Sequence, residues 1–320
     1  MKLSIVTDSL GGLPFGDMLD LVASLGFEGL ELCTGNWSRA PHLDLDDLLG
    51  SPSSRARFSD GIRSRGLSIE ALNCSGNQLA PGETGAAHRA VVEKTFELAA
   101  LLGVKKIVMM SGLPGGAPGD AEPNWIVTSW PSHNAAVLDW QWNEVALPYW
   151  RRAVELAAEA GVERIALENH GCQLVYNPST LLKLRAEVGP MVGMNLDPSH
   201  LFWMGGDPIA AARSLGAAGA LYHVHAKDAR LERGRVDVDG VLDTAAVDRY
   251  AERTWNYVAL GYGHGARWWK EFASVLRMVG YEGAVSLEME DLSMENLAGI
   301  LKSLDLMREA WEFPARGREA

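Results

Sequence analysis

Four short stretches of the chain end in residues that bind metal ions or move protons. Glu168 ends Arg164-Ile165-Ala166-Leu167-Glu168, Asp197 follows Val192-Gly193-Met194-Asn195-Leu196, His225 ends Leu221-Tyr222-His223-Val224-His225, and Glu288 ends Ala284-Val285-Ser286-Leu287-Glu288. Read as strands, their side chains alternate between two faces. Ile165, Leu167, Met194, Leu196, Val285 and Leu287 then share the apolar face, while Glu168, Asn195, Asp197, His223, His225, Ser286 and Glu288 share the other. Three carboxylates and an imidazole meeting in a low-dielectric mouth repel unless a cation neutralises them. An oxygen-rich set with one imidazole suits Mn²⁺ first, with Mg²⁺, Co²⁺ or Zn²⁺ as alternatives.

Blander readings exist for each residue. Asp197-Pro198-Ser199 is also ordinary turn and cap chemistry, and ion-pair networks cluster charge without a metal. His223, deeper along its strand, reads as a core histidine. His170 and His200, just past their strands, read as substrate-contact or outer groups, and Lys227 and Asp228 could simply pair with each other at the rim.

The elements that must position these residues repeat one theme: an amphipathic helix, a glycine, then a short apolar strand. Helical spacing predicts Phe15–Leu25, Arg55–Arg65, His88–Leu102, Val145–Ala160, Pro178–Val188, Pro208–Leu215 and Arg267–Val279, stopping at Gly26, Gly66, Gly103, Gly161, Gly189, Gly216 and Gly280. A residue past a helix end often takes the left-handed conformation, which glycine adopts without strain. The predicted strands are Leu3–Thr7, Gly29–Leu32, Leu67–Asn73, Val104–Met110, Val162–Glu168, Val192–Leu196, Leu221–His225 and Ala284–Glu288, and a last helix runs over Met294–Trp311. With no dinucleotide fingerprint after the first strand, this α/β alternation predicts a single (β/α)8 TIM barrel over residues 1–312, ahead of a doubly wound sheet, with 313–320 a disordered tail. In such a barrel the chemistry belongs on the loops that follow the strands.

Two of those loops, after strands 4 and 7, are long for such connections. Ser111–Gln141 opens with a Gly/Pro-rich run (112–119) and carries Trp125, Trp130, His133 and Trp140. Its prolines lack donors and it matches no phosphate-binding motif, so it reads as a lid or rim, with Trp125 and Trp130 as anchors or as platforms for a sugar. Lys227–Gly265 carries Arg230, Arg233, Arg235, Arg253, Trp255, Tyr257 and His264, of which Arg253, His264 and Lys227 are candidate substrate contacts.

Composition narrows the partners. The 320 residues are 47% hydrophobic and 22% charged, as expected of a soluble globular chain, and the net charge of −12 disfavours nucleic acid and anionic membranes. Cys33, Cys74 and Cys172 are odd in number and widely spaced, which fits a reducing, cytoplasmic setting without a disulfide framework. No run is long enough to span a bilayer, and a homo-oligomer is compatible with the long loops.

Leu167-Glu168-Asn169-His170, Asp197-Pro198-Ser199-His200, His223-Val224-His225-Ala226-Lys227-Asp228 and Ser286-Leu287-Glu288 together resemble the xylose-isomerase-like TIM-barrel superfamily, also labelled sugar phosphate isomerases/epimerases. The resemblance covers nearly the whole chain. It implies that Glu168, Asp197, His225 and Glu288 hold one divalent metal, that His200 lies close by, and that Glu168 and Glu288 also handle protons. The expected activity is isomerisation or epimerisation of a keto-sugar, keto-glycoside or inosose through a metal-stabilised enediolate. The same enolate could eliminate a neighbouring oxygen, making a lyase the second reading. An abasic-site endonuclease fits less well, because the earlier strand ends read Asn73-Cys74 and Met110-Ser111 rather than histidine. A non-enzymatic sugar-binding protein is the last alternative.

Overall fold

A computed structural model describes residues 1–313; residues 314–320, most of the expected tail, lie outside the described residues. The strands are β1 (Lys2–Val6), β2 (Gly29–Cys33), β3 (Ser68–Asn73), β4 (Lys106–Met109), β5 (Arg164–Glu168), β6 (Val192–Leu196), β7 (Leu221–Ala226), β8 (Asp228–Leu231), β9 (Trp255–Val258) and β10 (Ala284–Leu287). Eight close a barrel in the order β1-β10-β7-β6-β5-β4-β3-β2, and its pairings are parallel. β8 and β9 form a separate antiparallel hairpin.

The main core lies between strands and helices. Leu3, Ile5, Leu30, Leu32, Leu72, Ile107, Met109, Ile165, Leu167, Met194, Leu196, Val285 and Leu287 face outward into it and meet Trp150, Trp269 and Phe272 from the helices. This burial is what makes the alternation in each strand so regular, since a one-residue slip would send every apolar side chain inward.

Several junctions follow the expected glycine pattern, with Gly26, Gly66, Gly103, Gly161 and Gly280 at φ 71–77°. The expected stop at Gly216 is corrected. That helix runs Pro208–Ala217 and the left-handed residue is Gly219, at φ 59°. Gly216 is small for a packing reason, because a Cβ there would lie 2.4 Å from Val279 Cβ.

Inside, the barrel is layered. At the lower end the Tyr222 ring packs against Ala71, Val108 and Ala166, where a register shift between β6 and β7 turns it inward. A Cβ on Gly193 would lie 2.3 Å from Tyr222 Cδ2. Gly193→Ala is therefore expected to cost roughly 1–3 kcal/mol by overpacking, read as a lowered urea midpoint at unchanged m-value. An unchanged midpoint would mean that the ring is free to move out of the barrel. Above this layer come Glu31, Asn73, Asn195, His223, His225 and Ser286, and at the mouth Glu168, Asp197 and Glu288.

The long loops are more ordered than their length alone predicts. The first contains a helix, Asn134–Trp140, running through one π-helical turn into Leu147–Glu159. Its Gly-rich start is no cradle for a phosphate: the Gly116 and Ala117 amides donate to the Asp120 carboxylate at 2.7 and 2.9 Å. The second loop contains the β8–β9 hairpin. Among the described residues no helix is long and apolar enough to cross a membrane.

Candidate metal centre

Each of the four candidate ligands sits at or just past a strand end for a local reason. Asp197 follows β6 and is also the N-cap of the helix Pro198–Met204, its Oδ1 accepting from the Ser199 amide at 2.7 Å. Cap and ligand are thus compatible roles, because Oδ2 is buried without a hydrogen bond. Asn169 locks the neighbouring strand ends together. Its side chain donates to Asp197 O at 2.9 Å and accepts from the Asp197 amide at 2.8 Å.

Glu168, Asp197, His225 and Glu288 each offer one ligand atom, all within 4.8 Å of one another. His225 turns Nδ1 toward this group, 3.1 Å from Glu288 Oε2 and 3.5 Å from Glu168 Oε2. Asp197 Oδ2, His225 Nδ1 and Glu288 Oε2 are buried and make no hydrogen bond. Glu288 Oε2 is reached by Lys227 at 3.2 Å and Asp197 Oδ2 by the His200 ring at 3.3 Å, but neither contact closes a hydrogen bond, and buried polar atoms left so on one point fit a bound cation.

The charges show the same tension. Burial, reinforced by Glu288 and Asp197, pushes the Glu168 carboxyl well above its usual range, with His225 only partly offsetting it. Burial likewise lifts Asp197, to about 6. Glu288 goes the other way: burial opposes its ionisation, but Lys227 and His225 outweigh that and hold it at about 2. Burial would neutralise His225, yet Glu31, Glu288 and Glu168 together keep its pKa well above the ordinary histidine value.

Glu31, which sequence reasoning missed, lies beneath this cluster with no exposure. Its two oxygens are 3.1 and 3.2 Å from His225 Nε2, and one of them is 2.7 Å from His223 Nε2. Asn73 Nδ2 donates to the other at 2.7 Å. His223 is a buried core histidine bonded to Glu31 and Ser286, as expected. A carboxylate accepting from the far nitrogen of a ligating histidine fixes its tautomer and orientation. The signal was present as an acid between Leu30 and Leu32 in a buried strand.

A cavity of about 200 Å³ opens over the cluster, lined by Glu168, His170, Lys227 and Glu288 together with Asp8, Trp37 and Glu290. His200 Nε2 lies 2.8 Å from Glu168 Oε1, and Tyr257 Oη 3.0 Å from His200 Nδ1. His170 stands beside His200, their rings 4.2 Å apart. Lys227 does not pair with Asp228. It bridges Glu288, at 3.2 Å, and Glu290, while lying over the Tyr257 ring. Asp228 instead accepts from the Gly261, Gly263 and His264 amides and from the His264 ring.

The remaining candidates do not line the cavity over the four candidate ligands. His264 stacks on Phe202 at 3.6 Å. Arg253 is bound within its own loop, stacked over Trp255. Trp125 packs edge-on against Tyr176, and Trp130 is 77% exposed. Asp8, Trp37, Tyr257 and Glu290 take the places at the mouth that those residues were expected to fill. Nothing local marks them, since they come from four separate segments, after β1, after β2, on β9 and after β10.

Residues 19–310 match the family model described as xylose isomerase-like TIM barrel. The uncharacterised protein YfiH of Bacillus subtilis (strain 168) is 57% identical over 311 residues, covering 97% of this chain and 99% of that one. The IolI protein solved with a bound zinc atom superposes at a TM-score of 0.68 with 18% identity, covering 98% of both chains. A D-tagatose 3-epimerase-like protein gives 0.66 at 18% identity over 98% of this chain and 97% of that one. The probable 3-DHS dehydratase AsbF of Bacillus anthracis gives 0.66 at 18% over 96% and 98%. At such identity these likenesses speak of the fold. The family model, by contrast, spans the strand ends that carry all four candidate ligands, and on that match the chain belongs to the xylose isomerase-like TIM barrel family.

Proposed function

We propose that the protein is a divalent-metal-dependent isomerase or epimerase of a keto-sugar, keto-glycoside or inosose. The observation that carries this reading is the placing of two glutamates, Glu168 from β5 and Glu288 after β10, on one ligand cluster with β6 and β7 between them. They reach a substrate over the cluster from different sides of the mouth. A divalent cation held by Glu168, Asp197, His225 and Glu288 supplies Lewis-acid polarisation of a substrate carbonyl. Mn²⁺ is our first choice for the oxygen-rich set, and the zinc in the IolI structure makes Zn²⁺ its main competitor.

One glutamate removes the proton from the carbon between carbonyl and hydroxyl, leaving an enediolate. Return to the opposite face of that carbon by the other glutamate epimerises it, and return to the adjacent carbon isomerises the sugar. His200, bonded to Glu168 and to Tyr257, holds the Glu168 carboxylate in place. The cavity of about 200 Å³ is below the range of drug-sized sites and suits one sugar ring.

Incubation of metal-loaded protein with keto-sugars, inososes and 3-keto-glycosides in D2O tests this reading by NMR and mass spectrometry. Deuterium is expected at a carbon beside the carbonyl, with the rate reduced roughly 10²–10⁴-fold in Glu168→Gln and in Glu288→Gln. Absence of exchange from every substrate would overturn the reading. The dehydratase fold match keeps elimination as the second reading, and loss of water or of an aglycone in the same experiment would select it.

A further inference from the structure

The catalytic reading leaves unused a cavity of about 440 Å³ between the β8–β9 hairpin and the segment Glu290–Ser293. Tyr257 and Glu290 form its wall toward the metal centre: Glu290 lines both cavities, and Tyr257 bonds His200. Arg230, Arg233, Arg235 and Arg253 line it, against three carboxylates. Those acids are engaged. Glu232 pairs with Arg230 at 2.7 Å, Glu290 pairs with Lys227, and Asp291 accepts from the Ala259 and Ser293 amides.

Arg253 is different. It is 94% buried by its 6% exposure, yet its guanidinium bonds only main-chain oxygens, those of Trp255 and Ala245, and lies 4.6 Å over the Trp255 ring. Among the described residues no carboxylate forms an ion pair with it; Asp243, which feels its charge, accepts instead from the Ala245 and Thr254 amides. A buried cation without a direct ion-pair partner is costly, and a guanidinium presents a fork matched to a carboxylate. Of the other three arginines, Arg230 pairs with Glu232, Arg233 with Asp237, and Arg235 donates to Ala251 O.

We infer that this cavity is a second subsite that takes a carboxylate-bearing group of the substrate, with Arg253 as the principal contact. The inference deepens the keto-sugar reading and rests on it for the word substrate, but not for the binding itself. The substrate would then be a sugar acid, or a glycoside with a carboxylated second unit, lying from the metal centre past Glu290 into the cleft.

The test is ligand-observed NMR on the metal-loaded protein with D-glucuronate, neutral D-glucose and inorganic phosphate as probes. Glucuronate is expected to bind at least about tenfold more tightly than glucose, and at least about tenfold more weakly in Arg253→Gln. Arg230→Gln, at a half-exposed position, serves as a second variant should Arg253→Gln fail to fold, with a smaller loss expected. Glucuronate binding unchanged in both variants, or no preference over glucose, overturns the subsite. Tighter binding of phosphate than of glucuronate overturns its assignment to a carboxylate. If no keto-sugar exchanges in D2O while glucuronate binding still depends on Arg253, the subsite stands and the catalytic reading falls.

Discussion

Replacing Glu31 by glutamine is expected to weaken divalent-metal binding by roughly 10- to 100-fold, although Glu31 stands outside the four-residue cluster. Its carboxylate faces His225 Nε2 at 3.1 and 3.2 Å, which favours a proton on that nitrogen and leaves Nδ1 for a cation at the cluster. Burial opposes its ionisation, but His225 and His223 outweigh that and hold the Glu31 pKa well below the usual carboxylate range, so an anion stands there at neutral pH. A glutamine amide keeps the shape and loses the charge, and its –NH2 can turn toward either histidine, which frees His225 to adopt the other tautomer. Calorimetric metal affinity and the visible spectrum of Co²⁺-loaded protein both read this change. Should the variant melt lower under chelator yet bind metal with unchanged affinity and spectrum, Glu31 would be a core ion pair and nothing more. Two metals per chain would also defeat the account, because Glu31, His223 and His225 would then be ligands in their own right.

The second large effect is that metal stabilises the fold, and does so more strongly as pH rises. Saturation at one hundred times Kd stabilises by about 2.7 kcal/mol, on the order of 5 °C in melting temperature for a chain of this size. Without metal, Asp197 titrates near 6 in the folded protein against 3.8 unfolded. A carboxyl raised in this way contributes stability that is complete below pH about 3.8 and is lost as pH rises through about 6. Glu168, also raised, acts in the same direction. Glu288, held at about 2 against 4.5, keeps its contribution above pH about 4.5 and loses it as pH falls through about 2. A bound cation favours the ionised ligands and removes the loss. The difference in melting temperature between metal-loaded and chelated protein should therefore grow from pH 4.5 to pH 7. A difference that is zero, or flat with pH, would mean that these carboxylates do not share a cation.

What the sequence determined by itself was everything with a local period. Strand alternation is enforced by burial on the helix side, so it could be read one strand at a time, and it placed Glu168, Asp197, His225 and Glu288 on one inner face before any tertiary contact was known. Helix ends were legible for the same reason, except at Gly216, where a contact with Val279 rather than backbone conformation requires the glycine. What only the tertiary structure decided was which distant groups closure of the barrel brings together. Glu31 meets His225 across 194 positions of sequence, because β2 and β7 face each other through the barrel interior. The β8–β9 hairpin carries Tyr257 to His200 and leaves Arg253 without a direct ion pair, neither of which any spacing encodes. Trp130 shows the converse limit. Its type suits a sugar platform, but its loop turns it to solvent, and only packing decides which way a loop residue faces.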